Sequence, residues 1–239
     1  MNEWIDELVD LAAASERAVL VTVAGTRGSA SRKIGAKMIV MTTQTIGTIG
    51  GGQLEYQSMR VAVDMLNDQE MTLRSFPLGL SMGQSCGGAI EVLFEPIGDG
   101  IPSWLRDLSA LHGQREPAII TTRISQTNPS KIVVTADKVF GNDVLRTKSA
   151  MIARARQILS GSSATTRDVQ EFYEPVVASD LNIAVFGAGH VGSAVVDALS
   201  SLDCNIRWIE SRRKMFRGEP TNVRTIEATD PVLEVGAMP

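Results

Sequence analysis

The chain has 239 residues, 44% of them apolar, and its 23 Lys and Arg against 27 Asp and Glu leave a net charge of −4. Such a length and apolar content support one large core or two small ones, while the charge gives no general attraction to nucleic acid or an acidic membrane surface, so anion recognition has to be local. Two cysteines far apart argue against a disulfide framework or a spaced zinc site and point to a reducing cytoplasm, and no apolar run nears the ~18 residues of a membrane helix.

Asn2 is an N-cap for a helix over about 3–14, whose apolar face is Trp4, Ile5, Leu8, Val9 and Leu11. Strands are predicted over 18–24 and 37–42, bracketing the basic, glycine-bearing loop 25–35 that holds Arg27, Arg32 and Lys33, with Lys37 just beyond it. After an apolar stretch at 46–49, three consecutive glycines, Gly50, Gly51 and Gly52, open a helix that runs to Leu66. Strands over 71–78 and 89–95 flank a second glycine cluster, Met82-Gly83-Gln84-Ser85-Cys86-Gly87-Gly88. A later strand pair is expected at 117–123 and 131–136, a helix at about 147–159, and an extended stretch at 170–177. No internal repeat is evident in this pattern. Near residue 179 a second domain begins, in which an apolar strand at 181–186 leads into Gly187-Ala188-Gly189-His190-Val191-Gly192 and a helix to about Leu202. The expected fold class is therefore α/β, with a mixed α/β domain over 1–178 and a short Rossmann-like βαβ domain over 179–239.

Three glycines running into a helix leave backbone N–H groups and the positive end of the helix dipole facing whatever lies above them, which suits a phosphate or carboxylate. Arg27, Arg32 and Lys37 add charge-assisted donors. Cys86, with Gln84 nearby and glycines on both sides, sits between strands in a setting that suits an accessible thiolate able to ligate a metal, pass sulfur or act as a nucleophile. A Cys–His hydrolytic pair is disfavoured because the chain has only two histidines, His112 and His190. Cys204, beside an apolar strand, reads as a structural cysteine. In the second domain the strand, the fingerprint Gly187, Gly189 and Gly192, and Glu210 eighteen residues further on have the order of a dinucleotide-binding βαβ unit, in which Glu210 bonds a ribose hydroxyl. That unit is the basis of an alternative function, an NAD(P)-dependent oxidoreductase.

Four ordered segments, Thr22-Val23 with Thr26 to Ala30 and Gly35 to Met38, Gly47 to Glu55, Gly83 to Gly88, and Phe186 to Gly192, resemble the XdhC/CoxI family of xanthine dehydrogenase accessory proteins. Ser85 stands where members of that family often carry a second cysteine. The resemblance implies an accessory chaperone rather than an enzyme. It would bind molybdenum cofactor (molybdopterin), protect it while a cysteine desulfurase supports its sulfuration, and pass it to the apoenzyme of a molybdenum hydroxylase such as xanthine dehydrogenase. The cofactor's phosphate would meet Arg27, Arg32, Lys37 and Gly50 to Gly52, and its metal would meet Cys86. No nucleic-acid or membrane partner is implied, and a homodimer would complete the shortened Rossmann-like part.

Overall fold

The computed structural model describes residues 3–28, 33–68, 70–78, 88–98, 100–124, 130–141, 149–161, 166–167, 170–176, 181–200, 202, 204–216, 218 and 223–235. Contacts divide the chain into two compact units, one over Asn2–Val177 and one over Ala178–Pro239. The class is α/β, as the alternation of apolar strands and amphipathic helices predicts.

The first unit runs α1 (Glu3–Ala13), β1 (Ala18–Arg27), β2 (Lys37–Val40), β3 (Thr45–Gly47), α2 (Gly52–Asp64), β4 (Thr72–Leu78) and β5 (Gly88–Ile97). It then repeats the series as α3 (Ser103–Gly113), β6 (Ala118–Arg123), β7 (Ser130–Val134), β8 (Val139–Gly141), α4 (Ser149–Gly161), β9 (Thr166–Arg167) and β10 (Glu171–Val176). The strands form two five-stranded antiparallel sheets with the same topology, β3-β2-β1-β5-β4 and β8-β7-β6-β10-β9. The expectation of no internal repeat is thus overturned. Because the halves share contacts rather than residues, only a few positions betray the duplication. Trp4-Ile5 and Leu8 of α1 recur as Trp104-Leu105 and Leu108 of α3, and both helices end in the same left-handed turn, at Ser15 (φ 56°) and Arg115 (φ 57°). The Glu16 and Glu116 N–H groups donate to Leu11 and Leu111 carbonyls, each at 2.9 Å, closing the two helices alike.

Strand alternation decides which face each sheet buries. Val19, Val21, Val23, Ile90, Val92 and Phe94 pack under Leu54 and Ala62 of α2, and Ile119, Ile132 and Val134 pack under Met151, Ala155 and Ile158 of α4. The opposite faces meet in a common core, where Leu20, Ile39 and Ile97 join Ile120, Val133 and Val176 beneath α1 and α3.

Two lysines cross that core. Lys37 Nζ donates to Glu174 Oε1 at 2.5 Å and to Thr22 Oγ1 at 3.1 Å, while Lys131 Nζ lies 2.7 Å from Glu95 Oε1. Each pair takes its lysine from one half and its glutamate from the other, and all four side chains are less than a tenth exposed. Trp4 lies under Lys37 Nζ at 5.2 Å and Trp104 under Lys131 Nζ at 4.4 Å. The register repeats as well: Thr22 pairs with Lys37 and Thr122 with Lys131, while Leu20 pairs with Glu95 and Ile120 with Glu174. Burial, opposed by the pull of Glu174 and aided by the repulsion of Lys131, leaves the Lys37 ammonium below its ordinary value.

The second unit is a parallel three-stranded sheet, β11 (Asn182–Phe186), β12 (Asn205–Glu210) and β13 (Val223–Glu227), in the order β11-β12-β13. Helix α5 (His190–Ser200) connects β11 to β12 and a short α6 (Pro231–Val235) follows β13. Its core is Val185, Val196, Cys204, Ile206 and Trp208, so Cys204 is the buried structural residue its sequence setting suggests.

Candidate functional site

The topology of the first sheet gathers the sequence motifs. Since β1 pairs antiparallel with β2 and β5, β2 with β3, and β5 with β4, five strand termini point toward the same end of the sheet. They are the exit of β1 at Arg27, the entry of β2 at Lys37, the exit of β3 at Gly47, the exit of β4 at Leu78 and the entry of β5 at Gly88. The basic loop, the triple glycine and the strands flanking the Cys86 segment therefore share one end of one sheet. Arg32, Gln84 and Cys86 themselves lie outside the described residues.

The glycine turn is defined by its backbone: Gly50, Gly51 and Gly52 have φ of 109°, 70° and 72°, a run of left-handed conformations that side chains resist. A Cβ on Gly51 or Gly52 would meet nothing within 4 Å, so space above the turn is open. Its donors are nonetheless engaged. Glu55, in the first turn of α2, reaches back so that Oε2 accepts from the Ile49 N–H at 2.9 Å, the Gly51 N–H at 3.0 Å and the Thr48 hydroxyl, while the Gly50 N–H donates to Thr48 Oγ1 at 3.0 Å. The anion held by this turn is the protein's own carboxylate.

Arg27 and Lys37, grouped together by sequence, part in the structure. Lys37 is not in a surface cradle, because its ammonium is consumed by Glu174 in the core. Arg27 keeps a side chain 72% exposed and touches Glu91 Oε1 through Nη2 at 2.7 Å. Glu91 points inward from β5 and also holds Arg167 of β9, so one carboxylate bridges an exposed and a largely buried guanidinium. Burial, and then the charge of Arg27, lower the Arg167 pKa from its ordinary value. Neither Glu91 nor Arg167 falls in a glycine or cysteine motif, and nothing in their own sequence neighbourhood marks them. An open cleft of about 360 Å³ lined by Arg17, Leu66, Asn67, Pro96 and Pro102 lies at the C-terminal end of β5, remote from the motif end. Among the described residues no group of three or more His, Cys, Asp or Glu could hold a metal ion.

In the second unit the fingerprint glycines do different work. Gly187 takes φ 93°, and a Cβ on Gly192 would fall 1.9 Å from the Gly187 carbonyl oxygen, so the first glycine bends the chain and the third lets α5 pack on it. Gly189 has open space. Trp208 Nε1 donates to the Gly187 carbonyl at 3.1 Å and fixes the turn to β12. Glu210, at the end of β12, accepts from the Ala188 N–H at 3.0 Å, Arg212 Nε at 3.0 Å, and the Ser211 and Arg212 N–H groups. The Arg212 hydrogen bond, then that from Ala188, hold its carboxyl well below the usual range, at about 2. Glu210 thus braces the glycine turn from inside.

These features define an α/β protein with a duplicated antiparallel scaffold in its first unit and a parallel βαβ arrangement in its second. More particularly, the sequence resembles the XdhC and CoxI family, whose model matches residues 11–77, the stretch from α1 through the basic loop and glycine turn to β4. The fold is similar to that of a solved structure described as a xanthine dehydrogenase from Bacillus halodurans, with a TM-score of 0.65 and 18% identity over 89% of this chain. The chain spans 64% of the length of that protein. No curated protein matches it in sequence. No helix among the described residues is long and apolar enough to cross a membrane.

Proposed function

We propose that this chain is an accessory protein of a xanthine dehydrogenase-type enzyme, one that binds molybdenum cofactor as cargo and delivers it to the apoenzyme. The observation that carries this reading is the placement of Arg27, the open glycine turn and the strands flanking Cys86 toward the same end of the first sheet. The match of residues 11–77 to the XdhC and CoxI family supports it, because the matched stretch contains two of those three elements. The cargo combines a phosphate with a metal that a thiolate can approach. Arg27 would pair the phosphate in a charge-assisted contact, the glycines would admit the ring system close to the backbone, and Cys86 would supply the soft ligand. A cysteine desulfurase is the expected companion for sulfuration, and the chain itself performs no bond-making step in this scheme.

Anaerobic co-purification tests it. Wild type should retain released molybdopterin, and Cys86→Ala should lose molybdenum while keeping part of the pterin. Equal molybdenum on both proteins would end the thiolate role.

A further inference from the structure

Arg27, the exposed guanidinium of the motif end, is held in place from the other half of the duplication. Its only ion-pair partner among the described residues is Glu91, and Glu91 is shared with Arg167, a residue of β9 in the second sheet. Three features show that this bridge is built. A β-bulge between Val23 and Gly25 shifts the register so that Gly25 pairs with Glu91 and Arg27 with Ala89, placing Gly25 and Arg27 on the face that carries Glu91. The absence of a side chain at Gly25 leaves the space that the pair occupies, since a Cβ there would stand 2.8 Å from Glu91 Oε2 and 3.2 Å from Arg167 Nη1. The Arg167 side chain is only 16% exposed, and its Nε is buried without a hydrogen-bond partner among the described residues. Burying a guanidinium with incomplete hydrogen bonding is costly, and among the described residues its one ion-pair partner is the carboxylate that also fixes Arg27.

We infer that Arg167 is a positioning residue for anion binding at the motif end, acting through Glu91 to fix the guanidinium of Arg27 and to offset the carboxylate's charge. The inference rests on the proposed reading of that end as an anion site. Alone, Glu91 would repel a phosphate and cancel Arg27. With Arg167 the trio carries a net charge of +1, and Arg27 spends an Nη2 donor on Glu91 while its side chain stays 72% exposed. The second sheet, which lacks the glycine and cysteine motifs, thereby contributes to the site of the first.

The test measures affinity for inorganic pyrophosphate by calorimetry on the full chain, in wild type, Arg27→Gln, Arg167→Gln, the double variant and Arg167→Lys. Loss of a charge-assisted contact predicts a drop of about tenfold for Arg27→Gln, and about five- to tenfold for Arg167→Gln. The double variant should bind no more weakly than Arg27→Gln, because both changes remove one device. Arg167→Lys, which keeps the charge on Glu91 and preserves folding should the glutamine variant unfold, should bind within about threefold of wild type. An impaired Arg27→Gln beside an Arg167→Gln that binds as wild type overturns this inference alone, as does a double variant whose losses multiply. Arg27→Gln binding as wild type overturns the anion-site reading and this inference with it.

Discussion

The two halves of the first unit have the same seven elements, the same strand order and the same crossed Lys–Glu pairs over a tryptophan, yet they differ in their loops. After Gly47 the first half reads Thr-Ile-Gly-Gly-Gly, and after its counterpart Gly141 the second reads Asn-Asp-Val-Leu-Arg. Between β4 and β5 stands the Cys86 segment, whereas only three residues separate β9 from β10. What both halves keep belongs to the scaffold, and what only one carries is the candidate for function. By that test Lys37 is scaffold, because Lys131 does the same work in a half without the motifs. Gly47 is scaffold as well, since a Cβ there would meet the Lys37 carbonyl oxygen at 2.8 Å, and one on Gly141 would meet that of Lys131 at 2.7 Å. Arg27, Gly50 to Gly52 and Cys86 remain the candidates.

The comparison breaks most visibly at the crossed ion pairs. Lys37→Met and Lys131→Met each strand a buried glutamate, and each should lower stability by about 3–5 kcal/mol in chemical denaturation. Loss of pyrophosphate binding from folded Lys37→Met but not Lys131→Met would return Lys37 to the site. Next in size, Gly47→Ala and Gly141→Ala should each cost about 1–3 kcal/mol, from positive φ and contact with a fixed carbonyl. Markedly unequal costs would argue against equivalence of the halves.

A smaller comparison sets the two glycine turns side by side, since each holds a carboxylate of its own, Glu55 in one and Glu210 in the other. The Glu210 carboxyl is depressed to about 2, so its contribution to the second unit is fully present above the unfolded value near 4.5 and is lost as pH falls toward 2. A pH titration followed at the Trp208 indole N–H signal should therefore show wild type losing the turn in that window. Glu210→Gln, lacking the charge, should show no loss specific to it. The smallest effect is expected at Glu55→Gln, which keeps an acceptor for the turn but removes a negative charge; pyrophosphate affinity should rise about two- to threefold. A fall would mean that the Glu55 carboxylate itself supports the ligand.

Most of the elements were legible because their signals are local. The apolar face of α1, the glycine entry to α2 and the alternating strands each announce themselves within a dozen residues. The duplication was not, since β8 and β9 are only three and two residues long and the strand pattern alone shows no repeat. The tryptophan-led helices α1 and α3 were its one readable trace. At the candidate site, sequence grouped Arg27 with Lys37 because both are basic and close along the chain. The bulge leaves both on one face of the sheet, but Lys37 sits opposite Thr22, five positions in from Arg27, and is buried in the core, whereas Arg27 stands exposed at the end of β1. Glu91 and Arg167 lie 76 positions apart, and their pairing exists only once two sheets face each other. Glu210 was recognisable as the acidic residue of a βαβ unit, but its occupation by Arg212 and Ala188 depends on geometry that spacing does not encode.

The most direct test of a cofactor-holding sheet end is the molybdopterin content of the chain purified anaerobically, read by fluorescence of the oxidised pterin. Arg27→Ala is the test variant and Arg106→Ala, an exposed arginine on α3, is the control. Wild type and Arg106→Ala should carry equal pterin, with Arg27→Ala reduced about tenfold. A wild-type chain free of pterin, or an Arg27→Ala chain loaded as fully as wild type, would contradict it.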